Sequence, residues 1–266
     1  MRVTSIMYHD VVDHGAYDAS GFSGADANLY KVERDQFEAH LKAIARTRIA
    51  PANILDSLHG APNSSPLIIT FDDGGVSAHS FVVEFFEALS WPAHFFITAG
   101  FVDQPGFLTA NQIQDLHRRG HVIGSHSYSH PAMTYCDSQA IRDEWRKSVD
   151  LLSQIIGTKI RVASVPGGYY SREVARQAAE AGIEALFTSE PTTKVDVVEG
   201  CLVLGRYAIQ RWMSPTTVMN LANGSGFARS RQVLLWNTKK VLKTLGGSQY
   251  LRLRKILTSG SADGHV

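Results

Sequence analysis

Short apolar runs alternate along the chain with stretches whose apolar residues recur every three or four positions. Residues 3–9, 66–71, 93–99, 121–127, 160–166 and 184–189 are short and rich in β-branched and aromatic residues, which predicts strands. Between them, residues 33–47, 77–90, 109–120, 138–157 and 171–182 carry helical periodicity; Phe37, Leu41 and Ile44 form one such stripe. Thr109 is placed to cap a helix and Gly120 to stop it. The alternation persists to about residue 210. Nearly continuous apolar strands between amphipathic helices predict a parallel sheet covered by helices, either a barrel or a doubly wound sheet.

Two segments fall outside the alternation. Residues 13–30, "DHGAYDASGFSGADANLY", read as a long loop, a length often tied to function. Residues 231–257 read as a basic amphipathic helix interrupted by Gly246 and Gly247. The expected organisation is one catalytic domain over residues 1–212 and a basic extension over 213–266.

Charge sharpens that division. From Arg211 onward there are nine Lys or Arg and one acid, Asp263, leaving 17 basic and 24 acidic residues before it, a net charge of −7. The whole chain of 266 residues carries a formal charge of only +1, so nucleic acid is not an expected partner. The basic tail suits docking on the barrel itself, on a partner or on an anionic membrane surface. No apolar run reaches membrane-spanning length, and the N-terminal segment does not read as a signal peptide. Cys136 and Cys201 do not make a disulfide scaffold and fit a reducing compartment. The expected location is cytoplasmic, with peripheral contact at the inner membrane face through the tail.

Candidate chemistry gathers after three of the predicted strands, where α/β folds place their sites. "TFDDGG" puts Asp72 and Asp73 side by side, "GSHSYSHP" puts His126 and His130 four residues apart, and "MYHD" puts His9 at the end of the first strand. Two imidazoles at that spacing can face one ion from a single helical turn, and a carboxylate completes a set that leaves room for water. Taken singly, each has an ordinary reading: turn or cap chemistry for the aspartates, a hydrogen bond for His9.

"TFDDG" followed by "LTANQIQDLHRRGHVIGSHSYSHP" resembles the polysaccharide deacetylases of the NodB-homology type, carbohydrate esterase family 4. The opening "IMYHDVV" with "RDQFEAHLKAIAR" is similar to the subgroup containing poly-N-acetylglucosamine deacetylases. The resemblance runs from about Ser5 to Ile209 and implies an α/β fold, a deformed (β/α) barrel with one divalent metal in a shallow groove. It implies zinc first, with cobalt, nickel or manganese as alternatives, and an N-acetylated carbohydrate as substrate. Asp72 corresponds to the general base, and Asp73, His126 and His130 to the metal ligands. His9 matches the N-terminal histidine that serves as the acid in that subgroup, with Asp10 either tuning it or solvated. After His130 the one remaining histidine is His265.

The third family motif departs from its usual form: the chain reads "SVPGGYY", with Ser164 where an arginine would pair with the base and Gly167 where a tyrosine would offer its backbone N–H. The N–H of Gly167 can still serve an oxyanion, because that donor is not a side chain. Arg206, in "LGRYAI", can approach the base from a later strand, and Tyr169, Tyr170 and Trp212 can stack on sugar rings. The implied reaction removes an N-acetyl group from an amino sugar in a polysaccharide or its precursor. The alternatives are a deformylase or other amide hydrolase on the same metal site, and an inactive carbohydrate-binding protein.

Overall fold

The structure is a computed structural model that describes residues 2–58 and 65–238. In chain order the strands are β1 (Thr4–Tyr8), β2 (Val11–Val12), β3 (Val32–Glu33), β4 (Leu67–Phe71), β5 (His94–Ile97) and β6 (Val122–Ser125). They continue as β7 (Val162–Ser164), β8 (Ala185–Phe187), β9 (Val195–Val198), β10 (Cys201–Leu204) and β11 (Tyr207–Ala208). The helices are α1 (Ala25–Asn28), α2 (Arg34–Ala45), α3 (Ile54–Leu58), α4 (Val83–Ala88), α5 (Ala110–Arg118), α6 (Ser138–Ile156), α7 (Arg172–Glu180) and α8 (Pro215–Asn223), followed by α9 over residues 228–238.

Nine strands form one sheet in the order β11-β1-β4-β5-β6-β7-β8-β10-β9. All its pairings are parallel except β9 with β10. The sheet curls until Lys194, just before β9, bridges Arg2, just before β1. The result is a deformed (β/α) barrel.

Side-chain alternation separates two cores. On one face, Ile69 and Phe71 of β4 pack with Phe37 and Leu41 of α2, Phe86 of α4, Trp145 of α6 and Val174 of α7. The other face, which no long helix covers, collects Val3, Ile68, Phe96, Val122, Val162, Phe187 and Leu204, with Ile54 of α3. This second cluster fills the inside of the barrel.

Helix ends follow the local sequence. Thr109 caps α5 in a capping box with Gln112, and Asp137 caps α6, which stops at Gly157 in the left-handed conformation. The stretch expected as one helix over 77–90 enters through a π-helical turn, Ala78–Val82, before α4. The extension expected from residue 213 opens with α8, whose Val218, Leu221 and Ala222 lie in the helix-covered core. Of the predicted tail helix, residues 239–257, with Gly246 and Gly247, lie outside the described residues, as does His265.

Candidate active site

Parallel strands deliver their carboxyl ends to one rim, and the candidate residues leave from there. Asp72 and Asp73 follow β4, His126 follows β6, Ser164 ends β7, and Arg206 lies two residues beyond β10. Asp72 and Arg206 are both buried. Arg206 Nη1 donates to Asp72 Oδ1 at 2.6 Å and Nη2 to Oδ2 at 2.8 Å, a two-pronged ion pair. Its remaining donors reach Thr70 Oγ1 at 3.1 Å and the Thr188 carbonyl at 3.0 Å. Arg206, expected to approach the base from a later strand, is enclosed and spent on Asp72 rather than left open to a substrate. Burial would raise the Asp72 carboxyl, but Arg206 and the nearby imidazoles outweigh it and hold the carboxyl below its usual range.

Asp73 is treated differently. Its Oδ1 lies 3.3 Å from His126 Nε2 and 3.4 Å from His130 Nε2. One ligand atom from each of the three residues falls within 4.8 Å of the other two. Burial opposes ionisation of Asp73, yet the two imidazoles hold its carboxyl well below the ordinary value. The chain reaches this arrangement through left-handed backbone at Asp73 (φ 76°), Ser127 (φ 64°) and His130 (φ 61°). Such conformations are costly for residues other than glycine and persist where the surroundings impose them. They also correct one expectation: His126 and His130 do not share a helical turn. Residues 126–130 form an irregular loop, because Ser127 takes φ 64° and the Ser127 hydroxyl accepts from the His130 N–H at 3.0 Å.

The donor set fits a divalent cation. His126 Nδ1 is engaged by Ser164, 3.1 Å from its carbonyl and 2.5 Å from its Oγ, so the Nδ1–H tautomer leaves the Nε2 lone pair facing Asp73. Two imidazole nitrogens and one carboxylate are a ligand set with open positions, suited to zinc or another first-row divalent ion. Ser164 Oγ in turn donates to Asp72 Oδ1 at 3.2 Å. The serine standing at the family arginine's position therefore joins the carboxylate to a candidate metal-ligand histidine, a role that sequence reasoning missed.

His9 is half-buried; its ring lies 4.8 Å from that of Tyr30, its Nδ1 is buried without a hydrogen-bond partner, and its charge lowers both Asp72 and Asp73. Asp10, expected to tune His9 or to be solvated, is buried, which removes the solvated reading. Its Oδ1 accepts from Ser20 at 2.6 Å and Ser77 at 2.8 Å. Burial raises the Asp10 carboxyl, against the lowering hydrogen bonds of both serines. A Cβ on Gly75 would collide with this carboxylate, which explains glycine there.

The 13–30 loop is fastened by Lys31, another residue that sequence reasoning missed. The Lys31 ammonium is buried and donates to the carbonyls of Tyr17 (2.5 Å), Ser20 (2.7 Å) and Phe22 (2.5 Å). The fastened loop sets Phe22 against His130, ring centroids 4.9 Å apart, backed by Phe101 and Phe107. In the turn after β7, Gly167 is left-handed (φ 56°), and a Cβ there would come 2.9 Å from the ring of Tyr169. The Tyr169 ring thus covers the position where the family motif has its tyrosine, and it lies 5.8 Å from Tyr135. Trp212 is exposed.

Comparison with known proteins accords with this geometry. The family described as polysaccharide deacetylase matches residues 59–186. The Bacillus subtilis protein YxkH is 22% identical over 195 residues, 71% of this chain and 65% of YxkH. A chitin deacetylase from Arthroderma benhamiae is 30% identical over 116 residues, 43% of this chain and 31% of that protein. The chain thus spans less than two thirds of the length of these curated relatives. The solved structure of the Streptococcus pyogenes deacetylase PplD in complex with acetate shares the fold, with a TM-score of 0.70 at 18% identity over 84% of this chain and 98% of that one. Residues 59–186, a little under half of the chain, thus match the polysaccharide deacetylase family, and the fold is shared with a solved deacetylase.

Proposed function

We propose that this protein is a metal-dependent N-deacetylase that removes the acetyl group from an amino sugar in a polysaccharide or its precursor. One observation carries the reading: a buried carboxylate oriented by Arg206 stands beside a second carboxylate that shares its space with two imidazole Nε2 atoms.

Asp73, His126 and His130 would hold the cation, zinc first. Bound there, a divalent ion supplies Lewis acidity, polarising the amide carbonyl and making water more acidic. Asp72 takes the proton from the attacking water. A carboxyl held below its usual range is a weak base, so this step needs water that is itself acidified, and the two halves of the site depend on each other. Arg206 keeps Asp72 ionised and fixes its plane. The Gly167 N–H would meet the developing oxyanion, and His9 would give a proton to the departing nitrogen, releasing acetate and a free amine. Tyr169 offers a face for a sugar ring at the groove wall.

The test is acetate release from N-acetylated oligosaccharides by the full chain, before and after metal chelation. Chelation should abolish turnover and added zinc should restore it. Asp72→Asn should keep bound metal while losing about 100-fold or more in turnover. Undiminished turnover in Asp72→Asn, or after chelation, would overturn the assignment. Formate release exceeding acetate release from matched substrates would move the reading to a deformylase.

A further inference from the structure

Helix α9 has two faces. Ala228, Arg229, Gln232 and Trp236 are half-buried and lie on one stripe, directed at the barrel. Arg229 Nε donates to the Leu221 carbonyl at 2.8 Å, and Nη2 reaches Thr4 Oγ1 at 3.1 Å. Gln232 donates to the Ala208 carbonyl at 2.9 Å. Trp236 reaches the third-motif turn, where a Cβ on Gly168 would come 3.3 Å from its ring. The helix is therefore fixed to the barrel along β11 and ends beside the candidate active site.

The opposite face is apolar and uncovered among the described residues. Phe227 is 87% exposed and Leu234, seven residues on, 67%. These two lie on one side with exposed Arg231 between them, and Leu235, half exposed, flanks them. In sequence, Lys239, Lys240 and Lys243 follow directly, and no acidic residue occurs from Phe227 to Ala262. The chain before Arg211 carries a net charge of −7. The net charge of the barrel thus disfavours its approach to an anionic surface, and this acid-free basic stretch favours it.

We propose that Leu234 and Leu235 of α9, with Phe227 at its start and Arg231 between, dock on an anionic lipid surface. Large apolar side chains beside cationic ones, on a helix whose other face is already occupied, suit insertion at the headgroup boundary. Charge selects the lipid: an apolar partner protein would not require the unbroken run of basic residues, whereas each lysine or arginine near an anionic leaflet adds attraction. Because Trp236 joins α9 to the Gly168 turn, docking holds the groove at the surface. Resting on the deacetylase reading, this makes the substrate a saccharide displayed at a lipid surface, such as a lipid-linked precursor.

The experiment is co-sedimentation of the full chain with vesicles of phosphatidylcholine containing phosphatidylglycerol, against vesicles of phosphatidylcholine alone. Binding is expected to the anionic vesicles and to weaken as salt rises. The double variant Phe227→Ser/Leu234→Ser leaves every charge in place and should bind about tenfold more weakly or less, while turnover on a soluble oligosaccharide is unchanged. Equal binding by variant and wild type would mean that the basic residues act without the apolar face, and would overturn the proposal. Absence of binding to anionic vesicles, or equal binding to neutral ones, would overturn it too. A concentration-dependent dimer that the double variant abolishes would reassign the face to a second copy of the chain. Vesicle binding is read without any reaction, so failure of the deacetylase reading would leave this result standing.

Discussion

Inside the barrel, the lower and upper layers are built from the same strands and differ in almost every property. Along β4 the inward positions run Ile68, Thr70 and then Asp72; along β6 they run Val122, Gly124 and His126; β7 gives Val162 and Ser164. The run through β10 gives Leu202, Leu204 and Arg206. Each strand passes from an apolar plug to buried polar chemistry within about four residues. A period of two makes this possible, since the helix-covered face can stay apolar while the inward face changes character. The plug excludes water from beneath the upper layer, and low-dielectric surroundings strengthen the Asp72–Arg206 pair. The upper layer is accordingly stable only when its charges are mutually satisfied.

The sharpest break of that comparison is Arg206→Met. It leaves Asp72 buried without its cation, and removal of one partner from a buried pair costs about 3–5 kcal/mol. Denaturant unfolding should show that loss together with loss of turnover. Stability equal to wild type would mean that Asp72 does not depend on Arg206. Asp73→Asn tests the other carboxylate. Asn tolerates the left-handed conformation at this position, but both imidazoles lose the carboxylate that pairs with them, so stability should fall, by less than in Arg206→Met. Metal content measured on purified protein should nevertheless fall from one ion to none. Retained metal in Asp73→Asn would remove that residue from the ligand set.

Much of this was legible in the sequence because the barrel uses local rules. Thr109 and Gly120 announce helix ends, and apolar runs announce strands. The hairpin of β9 and β10 was less visible. It turns at Glu199 and Gly200, both left-handed, and glutamate is not the usual partner of glycine in such a turn. The site divided in the same way. Asp72, Asp73, His126 and His130 follow strands in a readable pattern, whereas the Ser164 link, the left-handed residues of the 126–130 loop and the three carbonyls on Lys31 depend on tertiary approach. The one available signal for the exchange at the base was a pair of residues: a serine where an arginine was expected, and a spare arginine at the end of another strand.

The lower layer contains one test of its own. His94 is fully buried, with Nε2 accepting from the Ile54 N–H at 3.1 Å and Nδ1 3.2 Å from the Ile69 carbonyl. Burial pushes its imidazole down to about 4. The unfolded chain, with an ordinary imidazole near 6.5, then binds the extra proton between those values, so stability falls as pH falls through that window. The contribution lost by pH 5 is about 2 kcal/mol. Chemical denaturation at pH 8 and pH 5 measures it, and His94→Gln, which can keep one donor and one acceptor, should flatten the difference. An unchanged difference in His94→Gln would assign the pH dependence to other groups.

Ser164→Ala is the smallest change and the most selective. Its hydroxyl lies between the two halves of the upper layer, accepting from His126 Nδ1 and donating to Asp72 Oδ1. Its carbonyl, which the substitution keeps, still holds the His126 tautomer. Arg206 still engages both oxygens of Asp72, so the carboxylate keeps its main partner, and His126 Nδ1 keeps the longer of its two contacts. The expected cost in stability is therefore two hydrogen bonds whose partners stay engaged elsewhere, about 1–2 kcal/mol, with metal content unchanged. Turnover should fall about three- to tenfold with little change in KM, because the hydroxyl orients groups that act on the reacting atoms and does not itself contact the sugar. Loss of metal in Ser164→Ala would show that the hydroxyl, rather than the carbonyl, fixes His126. Unchanged turnover would show that Arg206 alone orients the base, and that the serine fills the family arginine's place without inheriting any of its work.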